Sequence, residues 1–270
     1  MTLDQFQSLA PVLQALIATL GTWAMTAIGA GVVLFTRSVD RRFLNAMLGF
    51  GAGIMLAAAY WSLLAPAVEL SRGAFLPAWF PPVVGFLFGG LVIWLVDCIL
   101  PHLHPGFAPG DTEGLSTGWQ RSTLLMAAVT LHNIPEGLAV GIAFGAVASS
   151  IHAVNPQSAI ALAVGIGIQN LPEGMAISLP LRREGATIRR SFFLGQLSGM
   201  VEPIAGVVGA LAVLVVTPVL PYAMAFAAGA MFYVVIEELI PECQREMNTN
   251  LPTAAAMLGF ALMMVLEILT

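Results

Sequence analysis

His132-Asn133-Ile134-Pro135-Glu136-Gly137 and Gln169-Asn170-Leu171-Pro172-Glu173-Gly174 are near-copies of one hexapeptide, each set within a long apolar run. Ionisable side chains are expensive inside a lipid-spanning helix, and where they occur they mark ion or substrate paths. One His, two Glu and three amide side chains stand here in matching order. The pair predicts a metal ion held in the middle of a membrane.

The surrounding composition fits that setting. The chain has 270 residues, of which 58% are hydrophobic and 9% charged, against about 25% charged in an ordinary soluble domain. This predicts an all-α integral membrane protein. Apolar runs recur along the whole length, so residues 1–270 read as a single transmembrane domain with no soluble appendage. The first run is not followed by a small-residue cleavage site and a soluble domain, so it is not read as a removable signal. Segments of about 20 apolar residues can cross a bilayer. Eight are expected, at 12–35, 44–70, 78–100, 122–147, 156–181, 190–216, 219–241 and 252–270. The longest connection joins helices 3 and 4, near 101–120.

All ten basic residues are Arg. Arg37, Arg41, Arg42, Arg121, Arg182, Arg183, Arg189, Arg190 and Arg245 fall in loops on one side, and only Arg72 falls on the other. Positively charged loops stay in the cytoplasm, so both termini are expected outside. The chain reads as a multi-pass protein of the plasma (inner) membrane, with the lipid bilayer as its partner. The net charge of −5 comes with no basic patch, so no nucleic acid is expected. Cys98 and Cys243 belong to no paired motif and read as small apolar residues. Glycines recur at four-residue spacing, as in Gly49/Gly53, Gly85/Gly89, Gly137/Gly141 and Gly195/Gly199. Such pairs let helix backbones approach closely.

His132 and Glu136 are four residues apart and share a helix face, as do Gln169 and Glu173. Asn133 and Asn170 each stand three residues before a Glu and can join the same cluster. Pro135 lacks an N–H and so frees the carbonyl of Leu131, and Pro172 does the same for Ile168. Consecutive spans run in opposite directions, so two copies at one depth imply a pseudo-two-fold axis in the membrane plane. Transporters place substrate at such repeat interfaces. Glu202-Pro203 in helix 6 adds a third carboxylate at similar depth. One imidazole, three carboxylates and three amides are expected to converge. Nitrogen and oxygen ligands without thiolate suit Zn²⁺, Fe²⁺, Mn²⁺, Cd²⁺ or Co²⁺ and argue against Cu⁺. The alternative is a buried polar network that pins helix packing, but three carboxylates without a buried Arg or Lys need a cation or must protonate.

At these residues the sequence resembles the ZIP family of divalent-metal transporters, in its bacterial members. HNIPEG, QNLPEG and Glu202-Pro203 look like that family's signature, and eight spans with outward termini match as well. The resemblance implies a binuclear site. His132, Glu136, Gln169 and Glu173 would form the first metal position. Asn133, Asn170 and Glu202 would form the second, with Glu136 and Glu173 bridging. Met55 matches a position that contributes to the first site in some members, although as a residue it reads more simply as packing. Ser62 is a weaker candidate for the entrance path. Some members carry an acid where this chain has Asn170, which should weaken the second position. The His-rich loop frequent in the family is reduced here to His102 and His104.

Asp97, His102, His104, Glu237, Glu238 and Glu242 lie at the expected cytoplasmic ends of helices 3 and 7 and are expected to form a release path. Glu69, His152 and Glu267 could attract cations on the outer side. The expected activity is inward movement of Zn²⁺, and of Fe²⁺, Mn²⁺ or Cd²⁺, by alternating access. The metal is cargo, no catalytic cofactor is expected, and a homodimer is plausible. The resemblance further implies that helices 1, 4, 5 and 6 carry the metal against a static group of helices 2, 3, 7 and 8. The alternative is an intramembrane zinc metallohydrolase. That class would want a second histidine in the pattern HExxH, which is absent.

Overall fold

The computed structural model of the chain describes residues 2–36, 39–72, 76–99, 121–148, 155–215, 219–244 and 250–269. Among them there is helix and no strand. A short helix, Leu3–Gln7, precedes eight long helical stretches. These are α1 (Pro11–Leu34), α2 (Arg41–Leu70), α3 (Phe80–Ile99), α4 (Arg121–Ala148), α5 (Pro156–Arg183), α6 (Ile188–Val215), α7 (Leu220–Gln244) and α8 (Leu251–Leu269). Each begins and ends within three residues of an expected segment. Seven of them, all but α4, are long and apolar enough to cross a membrane, judged on the described residues. The remaining helix, α4, has 28 residues.

Local chemistry sets the helix ends. Asp40 caps α2 by accepting from the Arg42 N–H at 2.8 Å. Asn155 caps α5 by accepting from the Ser158 N–H at 2.8 Å. Thr187 caps α6 by accepting from the Arg190 N–H at 3.2 Å. Each such cap contributes about 1 kcal/mol. The corner between α5 and α6 turns on Gly185, whose φ of 95° is left-handed and comfortable only for glycine. Ala186 then donates its N–H to the Leu181 carbonyl at 3.1 Å. This tight corner fixes the register of α5 against α6, the helices that carry Asn170 and Glu202.

Prolines reshape three helices. Ala59–Leu64 in α2 is a π-helical turn followed by Pro66, and Val235–Leu239 in α7 is another followed by Pro241. In α6 a 3₁₀ turn, Ser198–Met200, precedes Pro203. A proline ring clashes with the carbonyl four residues back and gives it no hydrogen bond. Here those carbonyls belong to Ser62, Glu237 and Gly199, each inside the altered turn. Widening or tightening the turn is how the helix continues past the proline.

The helices associate most extensively in four pairs: α1 with α5, α4 with α6, α2 with α8, and α3 with α7. Glycines make each pair close. A Cβ built on Gly174 would lie 2.1 Å from the Thr26 carbonyl oxygen, and one on Gly141 would lie 2.0 Å from that of Gly206. The corresponding distances are 1.9 Å from Gly53 to Ala256 and 2.0 Å from Gly89 to Phe226. Without a hydrophobic drive between helices in lipid, this backbone contact is the main source of association. The outward surface stays apolar. On α3, Val84, Leu87, Phe88, Leu91 and Trp94 are exposed, a face suited to hydrocarbon rather than water.

Polar groups gather at the two ends. Arg41 of α2 lies 3.6 Å from Glu242 of α7, and Arg183 of α5 donates to the Val39 carbonyl at 2.7 Å. At the opposite end of α2, Arg72 pairs with Glu69 at 2.8 Å on an exposed surface. Glu267 of α8 accepts from Ser62 of α2 and, at 2.7 Å, from Ser158 of α5.

Candidate metal centre

Both hexapeptides lie in the interiors of α4 and α5, and these helices run through Pro135 and Pro172 without interruption. The last residue of each hexapeptide is a contact glycine. A Cβ on Gly137 would fall 2.5 Å from the Glu202 carbonyl oxygen of α6, and one on Gly174 would meet α1 at Thr26. The motif's glycine thus brings a neighbouring helix against the motif's own polar residues. His132, Asn133, Glu136, Gln169, Asn170, Glu173 and Glu202 are all buried. Four of them, Asn133, Glu136, Asn170 and Glu202, have no exposed surface at all (0%).

The cluster has two unlike halves. In the first, Gln169 Nε2 donates to Glu136 Oε1, and the Glu136 and Glu173 carboxyl groups are neighbours. His132 Nε2 contacts Glu238 Oε2 of α7. Five buried oxygens from the hexapeptides have no hydrogen-bond partner: Asn133 Oδ1, Glu136 Oε2, Gln169 Oε1, Asn170 Oδ1 and Glu173 Oε2. Buried polar atoms are rarely left without partners. Five unpaired acceptors contributed by two helices are a set of oxygens that a cation would satisfy. Gly51 of α2 approaches this half, its built Cβ 3.3 Å from Gln169 Cβ. Met55 lies one turn further along α2 and is fully buried.

In the second half both oxygens of Glu202 are taken. Asn170 Nδ2 donates to Glu202 Oε1 at 2.9 Å, to Glu202 Oε2 at 3.0 Å and to the Thr22 carbonyl at 3.1 Å. Thr22 Oγ1 donates to Glu202 Oε2. This half departs from the expected convergence. Among the described residues, no three His, Cys, Asp or Glu side chains are arranged to hold an ion by themselves. The reason is local: Glu202 turns to Thr22 and Asn170, Glu136 to Gln169, and His132 to Glu238. The oxygens left open in this arrangement belong to amides as well as to carboxylates.

The expected release residues separate. Glu238 is buried and touches His132, whereas its neighbour Glu237 is exposed. Glu242 is held beside Arg41. Asp97 of α3 is buried and accepts from the Tyr233 hydroxyl of α7 at 3.4 Å. His102, His104 and His152 lie outside the described residues. Sequence reasoning missed Thr22 and Thr26, which face Glu202 and Gly199 from α1. A signal was present. Thr19, Thr22 and Thr26 form a stripe at helical spacing in an otherwise apolar span, and all three are buried.

Comparison with known proteins identifies the family. A family model described as "ZIP Zinc transporter" matches residues 108–267. The chain is 42% identical to zinc transporter ZIP11 of Homo sapiens, over 95% of this chain and 97% of that protein. It is 38% identical to zinc transporter GufA of Myxococcus xanthus, over 93% and 97%. It is 34% identical to zinc transporter ZIPB of Bordetella bronchiseptica, over 91% and 77%. The likeness therefore extends beyond bacterial proteins. With both hexapeptides and Glu202 inside the matched region and similarity running nearly end to end, the chain belongs to the ZIP family.

Proposed function

We propose that this protein moves divalent transition-metal cations, Zn²⁺ foremost and also Fe²⁺, Mn²⁺ and Cd²⁺, across a membrane into the cytoplasm. The observation that carries the reading is the set of unpaired buried oxygens from the two hexapeptides. His132, Glu136, Gln169 and Glu173 form the primary position, with Asn133, Asn170 and Glu202 completing the polar chamber and Met55 at its edge. The cargo takes nitrogen and oxygen ligands, as Zn²⁺ readily does. Similarity to proteins named zinc transporters supports the same cargo.

All eight long helices, α4 included, span the membrane, with both termini outside. Arg41, Arg183 and Glu242 gather at one end of the bundle, in keeping with a cytoplasmic face there. The helix pairing supports an inverted repeat in which α1–α3 correspond to α6–α8 and α4 to α5. Under that exchange the pair α1–α5 becomes α6–α4, and α2–α8 becomes α7–α3, the four pairs observed. The π-helical turns of α2 and α7 also correspond. Alternating access follows as movement of α1, α4, α5 and α6 against α2, α3, α7 and α8. Glu238 is the first station of the release path because it already touches His132. Asp97 and Glu242 are the further stations among the described residues. The protein is a multi-pass protein of the plasma membrane and assembles as a homodimer.

An inside-negative potential favours inward movement by about 2.3 kcal/mol per charge per 100 mV, and about twice that for a divalent ion. A metallohydrolase is not favoured, since His132 is the only His among the described residues and catalytic zinc ordinarily takes more nitrogen ligands. The test is ⁶⁵Zn²⁺ uptake into proteoliposomes, with Fe²⁺, Mn²⁺ and Cd²⁺ as competitors. Saturable uptake that His132→Ala abolishes is the expected result. No uptake by folded protein that still binds metal would refute transport.

A further inference from the structure

We infer that the chain binds one metal ion per protomer, because Thr22 and Asn170 hold Glu202 as a hydrogen-bond acceptor and close the second position that the family resemblance implies. The inference rests on the proposed metal site and concerns how that site is divided. Thr22 is a positioning residue: it acts through Glu202, and nothing in the sequence motif includes it.

The argument is a comparison of donors and acceptors. Every oxygen of Glu202 is engaged. Oε1 accepts from Asn170 at 2.9 Å, and Oε2 accepts from Asn170 at 3.0 Å and from the Thr22 hydroxyl. An ion at Glu202 would have to displace all three hydrogen bonds. The groups facing Glu202 are hydrogen-bearing. An amide nitrogen is not a metal ligand, and its hydrogens occupy the space a cation would use. Asn170 Oδ1, on the other arm of the amide, belongs to the unpaired set instead. The remaining walls are close as well, since a Cβ on Gly199 would lie 3.0 Å from Glu202 Oε1 and 2.9 Å from Thr26 Oγ1. Across the chamber, Glu136 Oε2, Gln169 Oε1 and Glu173 Oε2 have no such donors. A single cation therefore goes to the hexapeptide side. The same three hydrogen-bonding partners join α1, α5 and α6.

The test counts Zn²⁺ per chain on the full-length protein purified in detergent, by elemental analysis after equilibrium dialysis. Wild type and Glu202→Gln should each hold one ion. Asn170→Asp should hold two, because the new side chain replaces the amide donor facing Glu202 with carboxyl oxygens that a second Zn²⁺ can bind in exchange for protons. Two ions in wild type, falling to one in Glu202→Gln, would overturn the inference, as would a single ion in Asn170→Asp. No ion in folded wild type would instead refute the metal site itself. Metal-induced infrared difference spectra give a second readout. The Glu202 carboxylate stretch, identified by its loss in Glu202→Gln, should be silent in wild type and Thr22→Ser and respond to Zn²⁺ in Thr22→Val. A responsive Glu202 band in wild type would overturn the inference.

Discussion

Asn133 and Asn170 occupy the same place in two near-identical hexapeptides, yet the fold uses them differently. Neither polar atom of Asn133 has a hydrogen-bond partner. The Asn170 amide nitrogen has three contacts, two to Glu202 and one to the Thr22 carbonyl. The difference arises outside the motif. Thr22 of α1 meets α5 at Asn170, while the α4 copy of the motif closes on α6 through Gly137. The repeated asparagine thus takes two chemical roles, its amide nitrogen unpartnered at Asn133 and committed to Glu202 and Thr22 at Asn170.

The largest effect should come from the open side. Removing a carboxylate that carries one of the unpaired oxygens, with Glu136→Ala or Glu173→Ala, should lower Zn²⁺ affinity more than about 100-fold, since even residues one layer out from a metal cost about 10–100-fold. Isothermal titration would show it, and an affinity within tenfold of wild type would break the comparison. Next come the glycines, where the two copies should behave alike. Gly137→Ala and Gly174→Ala each force a Cβ against backbone at 2.5 and 2.1 Å. Each should cost about 1–3 kcal/mol or more. Gly21→Ala, with nothing within 4 Å, should leave thermal unfolding in detergent nearly unchanged.

The smallest effect is the sharpest discriminator between the two asparagines. Asn170→Leu removes hydrogen bonds to a buried carboxylate and should cost about 2 kcal/mol of stability. Asn133→Leu removes none and should cost less than about 1 kcal/mol. Equal losses in thermal unfolding would mean that the hydrogen-bond asymmetry carries no energy.

The long helices were legible because a lipid-facing helix must be apolar over a fixed length, and their described boundaries depart from expectation by three residues at most. The hexapeptides were legible because His132, Glu136 and Glu173 are costly in such helices. Thr22 was not, because a threonine in an apolar span ordinarily satisfies its own helix carbonyls, as Thr19 does with Ala15 at 2.7 Å. Thr22 does the same with the Thr19 carbonyl at 3.0 Å, and only the packing of α1 on α5 and α6 adds Glu202 as a second partner. The contact of Glu238 with His132 was likewise hidden. It depends on the π-helical turn that precedes Pro241, and turn widening leaves no periodic trace in sequence. The separation of Glu237 from Glu238 is ordinary helix geometry, since adjacent residues point to different faces.

The central claim is that the hexapeptides of α4 and α5 hold the cargo through one imidazole and oxygen ligands. X-ray absorption at the zinc edge of the purified, Zn²⁺-loaded protein tests it most directly. The expected spectrum has only nitrogen and oxygen neighbours at about 2.0–2.2 Å, with imidazole scattering that disappears in His132→Ala. Sulfur scattering at about 2.3 Å, or an imidazole signal that survives in His132→Ala, would contradict it.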